Sequence, residues 1–303
     1  MNTQSNAMRE SSLESQGIAR AALLPTQPFY WSLRRELWEN RSIYIAPLSV
    51  AALSLLGFLI ATMGRVVTLT DPARKMVALT EPPHFAAALI LGAGFIVGIF
   101  YSLDALYGER RDRSVLFWKS MPVSDLTAVL AKASIPIVLL PLLTFAIVVV
   151  TQLIMNSLSS LVLAGNHLPV GTLWAQWTQS TLQLLYHMVT VHIFWYAPIY
   201  SWLLLASAWA RRATFLWAGL PPLAIGLLEK ISFNTTHFAH LLLYRVTGPE
   251  PFDMGQSGMP GHSMMGNLSL VKYLSTPGLW TGLLVAVVFL AAAIRLRRYR
   301  GPI

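Results

Sequence analysis

The sequence predicts an all-α integral membrane protein with six transmembrane helices. Of its 303 residues, 55% are hydrophobic and only 12% are charged, and the mean hydropathy is +0.55. A soluble domain carries about 25% charged residues. The apolar residues also gather in blocks, and about 20 helical residues suffice to cross a hydrocarbon core of about 30 Å. Composition and clustering together therefore favour a lipid bilayer as the surroundings of this chain.

The residues before the first apolar block divide into two parts. Residues 1–26 are rich in Ser, Gln, Asn and Glu, which predicts a disordered polar tail. Residues 27–41 carry Pro28 at their second position, which suits the first turn of a helix, and place apolar and charged side chains on different faces. Trp31 and Trp38 carry rings suited to the headgroup layer. We expect an interfacial helix here, followed by a transmembrane domain over residues 42–303.

Six apolar blocks bounded by charged or turn residues define the transmembrane domain. They predict spans at about 42–63, 84–103, 126–156, 184–210, 213–228 and 277–294. The third block exceeds a minimal span, so we expect it to tilt or to project from the bilayer. The fifth block contains Pro221-Pro222, which predicts a kinked, broken or partly re-entrant helix. Further kinks are expected at Pro136, Pro141 and Pro198.

The distribution of basic residues predicts the orientation. With the N-terminus inside, the inner segments hold 16 of the 22 Lys and Arg residues, and the outer segments hold 6. This asymmetry follows the positive-inside rule and predicts cytoplasmic N- and C-termini. The net charge of +9 is therefore interpreted as a topology signal rather than as a nucleic-acid-binding surface. The chain has no cysteine, which excludes disulfides and thiolate metal sites.

The inner loop after the second span carries the most informative residues. Its first half mixes charges of both signs, which favours solvent and a protein partner over lipid. Its second half, 114–120, predicts a short helix that presents Phe117 and Trp118 and stops before Pro122. Ser124 is then expected to cap the third span, with Asp125 in its first turn. The alternative is a simple solvated loop, which would need only Arg and Lys.

This loop, LYGERRDRSVLFWKSMPVSDLTAVLAK, resembles the cytoplasmic loop of bacterial type-2 ABC exporter permeases, the ABC-2 type transmembrane subunits. The segment LRRELWENRSIY resembles the start of those subunits, and the six-span layout matches too. The resemblance implies a permease of an ATP-driven exporter in the bacterial inner membrane. It implies pairing with a second permease, identical or paralogous, and binding of two separate ABC ATPase subunits. The transported substrate would be amphipathic.

The resemblance also implies roles for individual residues. The ATPase-coupling loop would comprise Glu109, Arg110, Arg111, Asp112, Arg113, Ser114, Phe117, Trp118 and Lys119. The connector helix would comprise Trp31, Arg34, Arg35, Glu36 and Trp38. The outer segment after Glu229 would correspond to the extracytoplasmic re-entrant helices of the family.

The sequence contains no G-x-x-x-x-G-K-[ST] phosphate loop. We therefore expect ATP and Mg to be bound by the partner ATPase, and this chain to carry no cofactor and no catalytic residue. The rival hypotheses are a non-transporting accessory or sensor subunit that docks an ATPase, and a membrane enzyme acting on lipid. No hydrolase motif or catalytic constellation supports the enzyme.

Three groups of residues have side chains that can ligate metals. His187 and His192 are five residues apart, about 140° around a helix, so polar contacts between helices are favoured over a metal site. His237 and His240 favour an interfacial role. The outer loop has soft ligands that suit Cu(I), at Met254, Met259, His262, Met264 and Met265. Their Gly and Pro spacing has no recognisable ligand geometry, so a flexible loop is favoured and a copper-related ABC permease remains the alternative.

Ionisable residues are scarce inside the predicted spans. Asp104, Lys132 and Glu229 all fall near predicted span ends, where snorkelling or capping accounts for them. This scarcity argues against a proton-coupled carrier and against an intramembrane hydrolase that needs paired acids.

Overall fold

The computed structural model describes residues 27–66, 68–114, 123–248 and 273–300, and within these ranges every regular element is helical. The helices are α1 (Gln27–Glu39), α2 (Ser42–Ala61), α3 (Pro72–Asp104), α4 (Tyr107–Arg111), α5 (Asp125–Ser134), α6 (Leu140–Gly165), α7 (Gly171–His187), α8 (Ala197–Trp209), α9 (Thr214–Phe233), α10 (His237–Thr247) and α11 (Pro277–Tyr299). Short π-helical segments continue α2, join α5 to α6, and continue α7. The all-α class is thereby confirmed for this part of the chain.

Several helical stretches are long and apolar enough to cross a membrane. There are four in the described ranges: Ser42–Gly64, Pro72–Arg111, Asp125–Gly165 and Pro277–Tyr299. A fifth arises if the bent pair Gly171–Trp195 and Ala197–Trp209 forms one span. Large aliphatic side chains such as Leu53 and Leu161 point away from the rest of the protein, as lipid-facing residues do. The fold is that of a helical membrane protein, and a span at α9 stays a prediction.

The helices extend beyond the predicted apolar blocks. α3 begins at Pro72 rather than near residue 84, and the Asp71 carboxylate caps it by accepting from the Ala73 N–H at 3.0 Å. The stretch Asp125–Gly165 contains 41 residues and would measure about 60 Å, twice the hydrocarbon thickness. The tilt or projection expected for it stays a prediction. Apolar composition marks only the bilayer-crossing part of a helix, because polar caps and flanking turns carry the helix further.

The expected proline positions have different outcomes: one lies in a π-helical segment, one lies at a helix bend, and one leaves its helix unbroken. Pro136 lies in the π-helical segment Ile135–Leu139 that joins α5 to α6. A bend of 45° separates Gly171–Trp195 from the helix that contains Pro198 in its first turn. The break considered at Pro221-Pro222 is absent, because α9 continues through both prolines to Phe233.

Polar residues of α6 compensate for a proline inside α3. Pro83 has no N–H, so the Leu79 carbonyl lacks its usual helical donor. The Ser159 hydroxyl donates to that carbonyl at 3.2 Å, and the Gln152 amide donates to the Pro83 carbonyl at 3.3 Å. Both side chains are buried. In an apolar interface without water, such contacts replace the lost backbone bond and fix α6 against α3.

Ser159→Ala should therefore destabilise the protein by about 1 kcal/mol, because the Leu79 carbonyl then lacks a donor. In a Pro83→Ala background the new N–H supplies that bond, so the same substitution should cost only a few tenths of a kcal/mol. Unfolding free energies in detergent, arranged as a double-mutant cycle, measure the difference. Ser157→Ala is the matched control, because the Ser157 hydroxyl is exposed and bonds within its own helix. An equal cost of Ser159→Ala in both backgrounds would contradict this interpretation.

Candidate functional site

Six ionised side chains meet where the ends of α1, α4, α5 and α11 converge. They form the charge cluster: Arg35 and Glu36 from α1, Glu109 from α4, Asp125 and Lys132 from α5, and Arg297 from α11. The side chains of Glu36, Glu109, Lys132 and Arg297 are only between 4% and 7% exposed. Three carboxylates face three cations, so their formal charges cancel. A buried ionic group of this kind is stable only when each charge has its partner.

Glu109 is the centre of the charge cluster. Its Oε1 lies 3.3 Å from the Lys132 ammonium and 3.9 Å from Nη1 of Arg35, and its Oε2 lies 3.3 Å from Nη2 of Arg297. These three cations belong to three different helices. A short break at Ala105 and Leu106 separates α4 from α3 and places Glu109 among them. One carboxylate thereby links the short loop helix to α1, α5 and α11.

Two further acids complete the cluster. Glu36 accepts from the Lys132 ammonium at 2.8 Å and from the Tyr101 hydroxyl at 2.8 Å. Asp125 accepts from Nη1 of Arg297 at 2.5 Å. Asp125 and Lys132 lie seven residues apart and so share one face of α5. The helix begins as expected, because the Ser124 hydroxyl accepts from the Thr127 N–H at 3.1 Å.

A second set of contacts holds α4 against the end of α8. The Ser207 hydroxyl accepts from the N–H groups of Leu106 and Tyr107, at 3.1 Å and 2.9 Å. No side chain of α4 itself caps these donors. Arg110 donates to the Ser207 and Ala210 carbonyls at the C-terminal end of α8. A cation at this end of a helix interacts favourably with the helix dipole. These contacts, the Ser207 clasp, anchor α4 to a fifth helix.

The loop residues implied by the resemblance divide into an anchored and an exposed part. Glu109 and Arg110 are buried in the contacts above. Arg111 and Asp112 are exposed and pair with each other at 3.0 Å, and Arg113 follows with a left-handed φ of 58°. The Ser114 hydroxyl donates to the Glu109 carbonyl at 3.4 Å. The remaining three residues implied by the resemblance, Phe117, Trp118 and Lys119, lie outside the described residues.

The connector-helix residues divide in the same way. Arg35 and Glu36 belong to the charge cluster, and Arg35 also pairs with Glu39 at 2.7 Å on the surface. Trp31, Arg34 and Trp38 lie on the opposite, exposed face of α1.

Sequence reasoning missed most partners of Glu109. Lys132 was expected to snorkel near a span end, but it is buried two turns into α5 because Glu36 and Glu109 neutralise it there. In the sequence, Arg297 contributes only to the positive-inside signal. The single available clue was the spacing of Asp125 and Lys132 on one face of an otherwise apolar helix. Ser207 gave no signal in the sequence.

Glu229 does act as a cap, as expected. Its carboxylate accepts from the Phe238 and His237 N–H groups at 2.8 Å each and from the Thr235 hydroxyl, which closes the turn between α9 and α10. The Phe238 N–H, followed by the Thr235 hydroxyl, holds the pKa of the Glu229 carboxyl below its ordinary value.

His192 makes polar contacts with tyrosine side chains. His192 Nε2 lies 3.4 Å from the Tyr200 hydroxyl of α8, and the ring packs edge-on against Tyr196. Across the ranges described, His, Cys, Asp and Glu form no group of three or more that could hold a metal ion. The Met and His residues of the outer loop, from Met254 to Met265, lie outside those ranges.

Comparisons of the chain with known protein families, with curated proteins and with solved structures gave no match. The fold and the site therefore define the class of protein: an all-helical membrane protein whose apolar helices are tied together at one end by a buried, charge-balanced cluster.

Lys132→Met should destabilise the protein by about 3–5 kcal/mol, because Glu36 and Glu109 would lose the cation that they share in a buried site. Lys230→Met is the matched control and should change stability by less than about 0.5 kcal/mol, because Lys230 is exposed. Unfolding of both purified variants in detergent measures the difference. Equal stabilities of the two variants would show that the charge cluster is not intact in the folded protein.

Proposed function

We propose that this chain is the transmembrane permease subunit of an ATP-driven ABC exporter, which moves an amphipathic substrate across the bacterial inner membrane. Separate ABC ATPase subunits would bind ATP and Mg, and a second permease, identical or paralogous, would complete the path. The observation that carries the proposal is the contact of Glu109 with cations from α1, α5 and α11. The resemblance of the surrounding loop to that of type-2 permeases supplies the class of partner.

The loop has the two properties that a coupling element needs. Its exposed part offers charges of both signs, at Arg111, Asp112 and Arg113, to a soluble protein. Its anchored part meets the charge cluster through Glu109 and α8 through the Ser207 clasp. A displacement applied to the exposed part therefore reaches the ends of four neighbouring helices through direct contacts.

The proposed cycle uses this arrangement as follows. ATP binding closes the two ATPase subunits together and moves the loop. The loop then shifts α1, α5, α8 and α11 as a unit, since separating any one of them would leave a charge or a backbone N–H buried without a partner. The spans rock between inward-open and outward-open arrangements, and hydrolysis resets them. This chain contributes no catalytic group to the hydrolysis.

The proposal places the charge cluster at the cytoplasmic ends of the spans. Because the chain has no cysteine, single-cysteine labelling can test this placement without background. Arg113→Cys should react with a membrane-impermeant maleimide only in inverted vesicles. Arg74→Cys, at a site with an 80% exposed side chain in the first turn of α3 and so at the other end of that helix, should react only in intact cells. The reverse pattern would contradict the orientation and the proposed function.

Glu109→Gln should uncouple transport from ATP hydrolysis by the partner ATPase. The loop keeps its exposed surface but loses its charged contact with three helices. In liposomes with the partner ATPase, transport should fall about tenfold or more, which corresponds to about 1.4 kcal/mol of lost coupling. ATPase binding should persist. Glu39→Gln removes the same charge from the exposed pair with Arg35 and should transport like the wild type.

Two results would overturn the proposal. Transport that continues in a strain without the ATPase would exclude an ATP-driven permease. ATP turnover by the assembled complex without any transport would indicate the accessory or sensor subunit instead.

A further inference from the structure

The exposed face of α1 carries an aromatic and basic stripe. Trp31, Arg34 and Trp38 follow one another at intervals of three and four residues and so lie on one side of the helix. The two indole side chains are 58% and 69% exposed, and Arg34 is exposed between them. Arg41, also exposed, follows α1 immediately before α2. We call these four residues the α1 stripe.

The side chains of the stripe are organised before any partner binds. The Arg34 guanidinium carbon lies 5.4 Å from the centre of the Trp31 ring and 4.9 Å from that of Trp38. Such contacts occupy the faces of the guanidinium and leave its edge N–H groups free to bind an oxyanion. Within the described ranges, no ion pair of α1 involves Arg34, since Arg35 and Glu36 form them all.

The position of α1 determines what this stripe faces. Only Asn40 and Arg41 separate α1 from α2, which is among the helices able to cross a membrane. The opposite face of α1 packs onto the protein through Leu33, Glu36 and Leu37. The stripe therefore lies beside the boundary of the apolar layer, where tryptophan rings and arginine side chains meet phospholipid headgroups.

We propose that the α1 stripe binds the headgroup of an anionic phospholipid, with Arg34 as the phosphate-binding residue and Trp31 and Trp38 as its supports. Binding on this face also stabilises the charge cluster, because Glu36 on the other face of the same helix holds Lys132. The proposal requires only that the chain lies in a membrane, so it stands independently of the exporter hypothesis.

The test measures binding of phosphatidylglycerol and of phosphatidylcholine to the purified full-length chain by native mass spectrometry. Arg34→Gln should weaken phosphatidylglycerol binding about fivefold, the effect of one basic residue at an anionic surface, and should weaken phosphatidylcholine binding less, because the choline cation offsets the charge of its phosphate. Arg34→Lys keeps the charge but loses the planar stacking group, so its affinity should be intermediate. Arg74→Gln, exposed but not part of the stripe, is the matched control and should bind like the wild type.

The same experiment separates the alternative partners of the stripe. Inorganic phosphate should not displace phosphatidylglycerol, because the tryptophan rings contact the lipid beyond its phosphate. Displacement by phosphate, or unchanged phosphatidylglycerol binding by Arg34→Gln, would overturn the proposal. If Arg34→Gln instead abolished binding of the ATPase and kept full lipid binding, the stripe would be a protein interface and the lipid site would be excluded.

Discussion

Glu109 brings a negative charge into a space where cations from three helices meet. Removing an ion from water costs several kcal/mol, and that cost is offset only when its partners are held in contact. The relative positions of α1, α4, α5 and α11 are therefore constrained by charge as well as by packing. Apolar packing alone would tolerate sliding between helices far better, because lipid tails are as apolar as the side chains they replace. The charge cluster therefore holds the ends of these four helices in fixed positions relative to one another.

Elsewhere in the bundle, uncharged polar contacts also hold neighbouring helices against each other. Ser159 and Gln152 satisfy carbonyls around Pro83, and Ser207 satisfies the first N–H groups of α4. Each contact joins two helices by completing a backbone group that local structure leaves unpaired. α10 differs, because none of its side chains is buried and the Glu229 carboxylate caps its first turn. Local opening is expected to be easiest where such contacts are few.

One face of α1 packs against the interior of the protein, and the other face is exposed. One face holds Glu36 in the charge cluster, and the other presents the tryptophan and arginine side chains of the α1 stripe. The loop has a similar division between its buried residue Glu109 and its exposed residue Arg111. Both elements therefore have one side held within the bundle and one side open to an outside contact.

The sequence alone determined the all-helical class, the location of the apolar blocks, the Ser124 cap and the bend near Pro198. These features depend on residues close together in the chain, through hydropathy, capping and the missing N–H of proline. Only the tertiary structure decided that Glu36, Glu109, Lys132 and Arg297 form one cluster, because their pairing joins positions separated by 96 and 188 residues. A charged residue near a helix end has the same local signature whether it faces water or a distant partner. The burial that distinguishes the two cases exists only once the helices have packed.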